Sequence, residues 1–352
     1  MFLTLWDVQP HLSFKRLSEY IIFMRYPNAF LTFIILILGF LSVSAQDDDI
    51  IKVDASIVRL NVGVVDNLGK PVKNLTKDSF TLYENGIKQE ISRFEPTAAP
   101  FSVVMILDMS GSTKSFRQNI QLSALRFLDA IAPDDRVAII EFYEKVNVLN
   151  DFTNNRRTLA HSINVADGRG KTNLYKSLRV ALEKLSKEGT RRKAVVVLTD
   201  GIDTETQNDD RKFLGKFADS DVLTAIKPEL NEALIKILNQ SDAQGVTIYP
   251  LALPTGDPAR LADPTPRQIA MYSAGRSRLK ILADRSGGTL SAINRLEDMG
   301  RLYAGVAADL RALYTIEYQP SDGKRDGKWR EIKIEINNAD LVTRTRQGYF
   351  AK

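Results

Sequence analysis

Residues 103–113 read VVMILDMSGST: five uninterrupted apolar residues, an aspartate, then serines two positions apart. A run that apolar suits a strand buried on both faces, as in a parallel sheet covered by helices. Its polar residues begin where the strand ends, so Asp108, Ser110 and Ser112 leave the sheet in one loop. Ligands of open parallel sheets bind beyond the carboxyl ends of the strands. The D-x-S-x-S spacing brings a carboxylate and two hydroxyls within reach of one point, an oxygen set that suits a hard cation.

Outward from this stretch the pattern repeats. Further buried strands are expected at 137–142, 194–198 and 246–253, and apolar residues recur at helical spacing over 117–131, 174–185, 229–243 and 296–313. Strands alternating with helices predict a doubly wound, mostly parallel α/β sheet. Two pieces of polar chemistry fall near the first: Thr172 in the Gly-bearing loop 168–172, and Asp200 directly after the strand at 194–198. With Asp108, Ser110 and Ser112 they make an all-oxygen site.

The combination ILDMSGS, KTNLYKSL and VVVLTDG resembles the metal-ion-dependent adhesion site of von Willebrand factor A (VWA) domains, over roughly 101–313. The resemblance implies that Ser110, Ser112 and Thr172 ligate a metal through hydroxyls, with Asp108 and Asp200 acting directly or through water. Neutral hydroxyls would leave the ion much of its charge, and an open position for an Asp or Glu of a protein partner. It implies Mg²⁺, with Mn²⁺ or Ca²⁺ served by the same oxygens.

On either side of this unit the periodicity changes to two. Residues 56–65 (SIVRLNVGVV) alternate as a half-buried strand, and 80–84 and 87–94 flank Asn85-Gly86, the dipeptide suited to a type I′ hairpin. Strand-like alternation returns at 314–318, 329–336 and 341–346. Neither flank has strands enough for a stable sheet alone, so the two are expected to pair into one small β-sandwich with the α/β domain inserted. The flank segments NLTKDSFTLYE (74–84) and RQGYF (346–350) look like the β flanks of bacterial VWA-containing proteins that carry a signal peptide. Two long connections, 204–227 and the four-proline stretch 254–267, leave near strand ends and are read either as shaping the binding face or as surface insertions.

The N-terminus has the order of a secretory signal: Lys15, Arg16 and Arg25, then FLTFIILILGFL at 30–41, then Val43-Ser44-Ala45. The apolar run is shorter than the ~20 residues of a spanning helix. Cleavage is expected after Ala45, an uncleaved anchor being the alternative, and Met24 is a second candidate start. The expected division is a signal peptide at 1–45, an N-terminal β flank at 46–97, a VWA domain at 98–313 and a C-terminal β flank at 314–352. The protein would then be exported, periplasmic or extracellular, touching a membrane only through an uncleaved N-terminal segment.

The 352 residues are 44% hydrophobic, enough for one full domain and a smaller one at roughly 100–200 residues each. Charge is +5 and scattered, unlike the clustered footprint of a nucleic-acid binder. With no Cys there is neither a disulfide framework nor a thiolate nucleophile, and with only His11 and His161 no His-based zinc or triad site assembles. Ser110 stands where phosphotransferases of the Asp-nucleophile class have a second Asp, and no G-x-S-x-G is formed, which argues against a phosphoryl- or acyl-transfer hydrolase. The leading expectation is a non-enzymatic, metal-dependent protein-binding module of the adhesion type. An assembly or regulatory subunit of a partner ATPase or complex is the alternative, the chain having no phosphate-binding loop of its own.

Overall fold

The computed structural model describes residues 57–97 and 99–351; the expected signal segment, its cleavage point and the alternative start lie outside the described residues. The buried run of 103–107 lies within β5 (Phe101–Asp108), every residue of which is buried. Beside it run β6 (Arg136–Phe142), β8 (Arg192–Thr199), β9 (Val246–Ala252) and the two-residue β10 (Ser291–Ala292), all parallel. The edge strand β7 (Val146–Thr153) is antiparallel to β6, giving the order β10-β9-β8-β5-β6-β7. β7 was not anticipated, because it follows β6 after a short turn with no helix between them.

Helices cover both faces of this sheet. On one lie α1 (Arg117–Ala130) and α2 (Arg156–Val165), with a later helix described below; on the other lies α3 (Leu174–Leu185). The connection after β8 is ordered as α4 (Thr204–Leu214) and the one-turn α5 (Val222–Ala225). Then come α6 (Glu232–Gln244), started by the Asn231 side chain accepting from Leu234 N, and α7 (Pro266–Ser286). Helix α7 was not foreseen, although its start is strongly marked: Thr265 and Gln268 form a capping box around Pro266, and Gly287 ends it at φ +80°. The expected helix 296–313 is shorter, α8 (Met299–Leu310), preceded by a single 3₁₀ turn. It closes the first face, Tyr303 meeting Phe127 of α1 edge-on at 5.9 Å. No helix among the described residues is long and apolar enough to cross a membrane.

The flanks pair with each other as expected. One sheet has the order β13-β1-β11-β4 and the other β14-β12-β2-β3, with N-terminal strands β1 (Val58–Asp66), β2 (Phe80–Glu84), β3 (Ile87–Gln89) and β4 (Ile91–Glu95). The C-terminal strands are β11 (Tyr314–Tyr318), β12 (Trp329–Ile336), β13 (Leu341–Arg344) and β14 (Gly348–Phe350). In β12, Arg330, Ile332 and Ile334 are buried while Glu331, Lys333 and Glu335 are exposed, the period of a strand with one wet face. Leu60, Val62, Leu82, Tyr314, Ile316 and Ile332 from the two sheets share one core. The type I′ turn forms, with positive φ at Asn85 (49°) and Gly86 (78°). One refinement concerns 87–94: it is two strands, β3 completing the hairpin and β4 crossing to pair with β11 in the other sheet.

The sandwich is joined to the α/β unit by buried polar contacts. Asn61 Nδ2 donates to Thr247 Oγ1 of β9 at 2.9 Å, and Arg192 of β8 donates to the carbonyls of Thr97, Ala99 and Leu313, where the chain enters and leaves the α/β unit.

Candidate binding site

Strands β5 and β8 are neighbours, with Leu107 opposite Leu198, so Asp108 and Asp200 emerge side by side at the same end of the sheet. After Asp108 the backbone makes a 3₁₀ turn over Gly111–Phe116, tied by Thr113 Oγ1 donating to the Asp108 carbonyl (2.8 Å) and the Ser110 carbonyl (3.0 Å). Gly111 N donates to Gly170 O at 3.1 Å, joining this turn to the loop that carries Thr172. Thr172 is fixed in turn by Thr204, its N–H donating to Thr204 Oγ1 (2.9 Å) and its carbonyl accepting from Thr204 N (3.0 Å).

Four of the five residues singled out in the sequence form one hydrogen-bonded chain. Ser110 N donates to Asp108 Oδ1 (3.0 Å), Ser110 Oγ lies 3.2 Å from Ser112 Oγ, and Ser112 Oγ donates to Asp200 Oδ2 (2.7 Å). Thr172 is buried in the adjoining loop, and no hydrogen bond joins its side chain to the other four. Asp108 and Ser110 are wholly buried and Asp200 is 3% exposed, whereas Ser112 faces solvent.

The remaining carboxylate oxygens also have donors: Thr199 Oγ1 to Asp108 Oδ2 (2.9 Å) and Ile202 N to Asp200 Oδ1 (3.0 Å). Burial, followed by the negative charge of Asp200, pushes the Asp108 carboxyl up to about 7. Burial also raises Asp200, opposed by the Ser112 and Ile202 bonds and by the nearby Arg276 guanidinium. Three participants had no signal in the sequence. Thr199 reads as the end of a strand, Thr113 as a helix start, and Arg276 as one of several basic residues; only folding brings them to Asp108 and Asp200.

The packing around Asp200 is close. A Cβ on Gly256 would lie 1.8 Å from the Asp200 carbonyl oxygen, and one on Gly275 would lie 3.0 Å from that of Gly201. Gly201 itself sits at φ +83°. The four-proline connection 254–267 therefore rests its backbone against the site.

The expectation of a resident Mg²⁺, Mn²⁺ or Ca²⁺ is corrected here. Among the described residues no group of three or more His, Cys, Asp or Glu side chains is placed to hold a metal ion. The site contributes two acids, and all four of their oxygens already accept hydrogen bonds from the protein.

Residues 103–202 match the family model of the von Willebrand factor type A domain. No curated protein matches the sequence. Among solved structures, the chain is similar to the vWF domain of the type V pili tip protein Mfa5 from Porphyromonas gingivalis, at 15% identity and a TM-score of 0.44, covering 59% of this chain and 94% of that one. It is also similar to a von Willebrand factor type A protein from Catenulispora acidiphila (14% identity, 79% of this chain, 65% of that chain, TM-score 0.45). The open conformation of the pilus adhesin SpaC from Lactobacillus rhamnosus GG is matched at 10% identity over 80% of this chain and 49% of that chain, with a TM-score of 0.44. The segment from 103 to 202, which holds Asp108, Ser110, Ser112, Thr172 and Asp200, thus gives this chain a domain of the VWA superfamily.

Proposed function

We propose that this chain is an exported, non-catalytic protein-binding module whose contact site for a partner presenting an Asp or Glu is the exposed rim around Ser112, built over the buried Asp108, Ser110, Thr172 and Asp200. The observation that carries this reading is the joining of two loops at the carboxyl end of the sheet through Gly111 and Gly170. That junction collects an exposed hydroxyl, Ser112, and the exposed cations Lys114, Arg169 and Lys171 around the buried acids, with Glu144 and the Arg117-paired Asp167 the acidic residues nearby. Burial raises the Asp108 carboxyl to about 7, which lessens negative charge beneath the rim at neutral pH. A basic rim over a hydroxyl suits an acidic side chain, and such complementarity steers association more than it sets affinity. Export is supported by the basic, apolar and small-residue order at 15–45.

A photo-crosslinking residue placed at Lys171 of the full chain, in the cells that make it, tests the assignment. A discrete protein adduct is expected from position 171, weakened by Ser112→Ala and by Arg169→Glu, and not obtained from Lys333 on the sandwich. No adduct, or one given equally from position 333, would remove this face as the docking site. Recovery of the tagged chain outside the cytoplasm with a new N-terminus at position 46 checks the export half.

A further inference from the structure

Beside the site, α3, α4 and α6 enclose a cleft of about 940 Å³. Its origin lies in how α4 is held. Helices α3 and α6 pack on each other, whereas α4 packs on α7, where Asp210 accepts two 2.7 Å bonds from the buried guanidinium of Arg278. The start of α4 is tied to the loop before α3 by the reciprocal Thr172 and Thr204 bonds, and to α3 itself by Tyr175 N donating to Asp203 Oδ2 at 3.5 Å. The cleft adjoins the site, lined by Asn173 next to Thr172, and its lining includes the buried Tyr175 and Ile237.

Two of its walls carry opposite charges that do not meet, while the third, α6, adds the pair Lys236 and Glu232 at 3.7 Å. Lys176 and Arg179 stand three residues apart on α3, a spacing that puts them on one helix face. Glu205 and Asp209 stand four apart on α4. Among the described residues the side chains of Lys176, Glu205 and Asp209 make no ion pair or hydrogen bond, and that of Arg179 has only its own helix neighbour Glu183, at 3.8 Å with both side chains largely exposed. Small-molecule pockets are mostly apolar with a few polar groups, and this cleft is the reverse. An extended polypeptide, with charges and backbone polar groups on both sides, matches a polar cleft with two oppositely charged walls.

We propose that this cleft is a second recognition site, receiving an extended segment of the protein partner whose acidic residues face Lys176 and Arg179 and whose basic residues face Glu205 and Asp209. The assignment rests on the docking face proposed above, which adjoins the cleft. The probe is a library of random dodecapeptides displayed on phage, selected on the immobilised full chain. The expected result is a peptide family with acidic and basic residues at fixed spacing. Its affinity should fall at least tenfold in the Lys176→Glu, Arg179→Glu double variant and in the Glu205→Lys, Asp209→Lys double variant. A charge-exchanged peptide should recover binding to the corresponding variant. All four positions are exposed, so the fold tolerates the exchanges. No enriched family, or one indifferent to both variants, would overturn the proposal. Ser112→Ala separates the two readings: peptide binding should survive it while the adduct from position 171 weakens. Peptide binding without any adduct would sink the docking face alone, and the reverse would sink the cleft alone.

Discussion

Replacing Asp108 by Asn removes a charge at a wholly buried position while keeping the shape of the side chain. The Asp108 carboxyl stands at about 7 in the fold against an ordinary 3.8, raised by burial and then by Asp200. A raised folded value means that the folded protein keeps a proton the unfolded chain has already released. Stability is therefore undiminished below pH 3.8, falls by ~1.36 kcal/mol per pH unit up to about 7, and is level above it. Across that interval the native aspartate costs ~4 kcal/mol. Asparagine has no such titration. Its oxygen still accepts from Ser110 N, but its amide donates to Thr199 Oγ1, so the Thr199 hydroxyl loses its acceptor, at ~1 kcal/mol. Asp108→Asn should then be ~3 kcal/mol more stable than the native chain at pH 8, and up to ~1 kcal/mol less stable at pH 4, with a sign change between. For a domain of this size ~3 kcal/mol moves Tm by about 6–12 °C. Thermal and urea unfolding in chelator-containing buffer at pH 4, 5, 6, 7 and 8 would follow the difference. A difference constant in pH, or an Asn variant less stable at pH 8, would refute the reasoning.

The other predictions concern the supports of the site. Arg278→Ala strands the buried Asp210 carboxylate and should cost about 3–5 kcal/mol, read from the urea midpoint; Asp210→Asn with Arg278→Met should recover part of that loss. Gly256→Ala drives a methyl into the Asp200 carbonyl and should destabilise by about 1–3 kcal/mol, with Ser112 and Asp200 resonances shifting in NMR spectra. Arg192→Met orphans the carbonyls of Thr97, Ala99 and Leu313, each costing about 1–3 kcal/mol. Because those carbonyls lie where the sandwich joins the α/β unit, its unfolding should become less cooperative, detectable as non-coincident tyrosine fluorescence and circular dichroism transitions.

The parallel core was legible because a strand buried on both faces must be apolar throughout, as 103–107 and 194–198 are. The flanking strands were legible because β12 alternates and because Asn85-Gly86 accepts positive φ. Helix α7 was not, because its buried face mixes Met271, Leu279 and Leu282 with Ala270, Ala274, Gly275 and the charged Arg278, which dilutes the hydrophobic contrast. There the close approach of Gly275 to Gly201 and the Arg278–Asp210 ion pair stand among the apolar contacts that mark most helices.

At the site, the sequence by itself determined which residues stand at the ends of buried strands: Asp108, Ser110 and Ser112 in one loop, Asp200 after the neighbouring strand, and Thr172 in a Gly-bearing loop between them. Hydropathy sets where a strand stops, and the next residue must then leave the sheet. Only the tertiary structure decided what those side chains touch. It set Thr199 and Ser112 as the donors that complete the two carboxylates, buried both acids deeply enough to raise them, and left a cleft where Asp210 holds α4 to α7. Such contacts depend on distances between residues far apart in the chain, and a one-dimensional pattern carries no term for those distances.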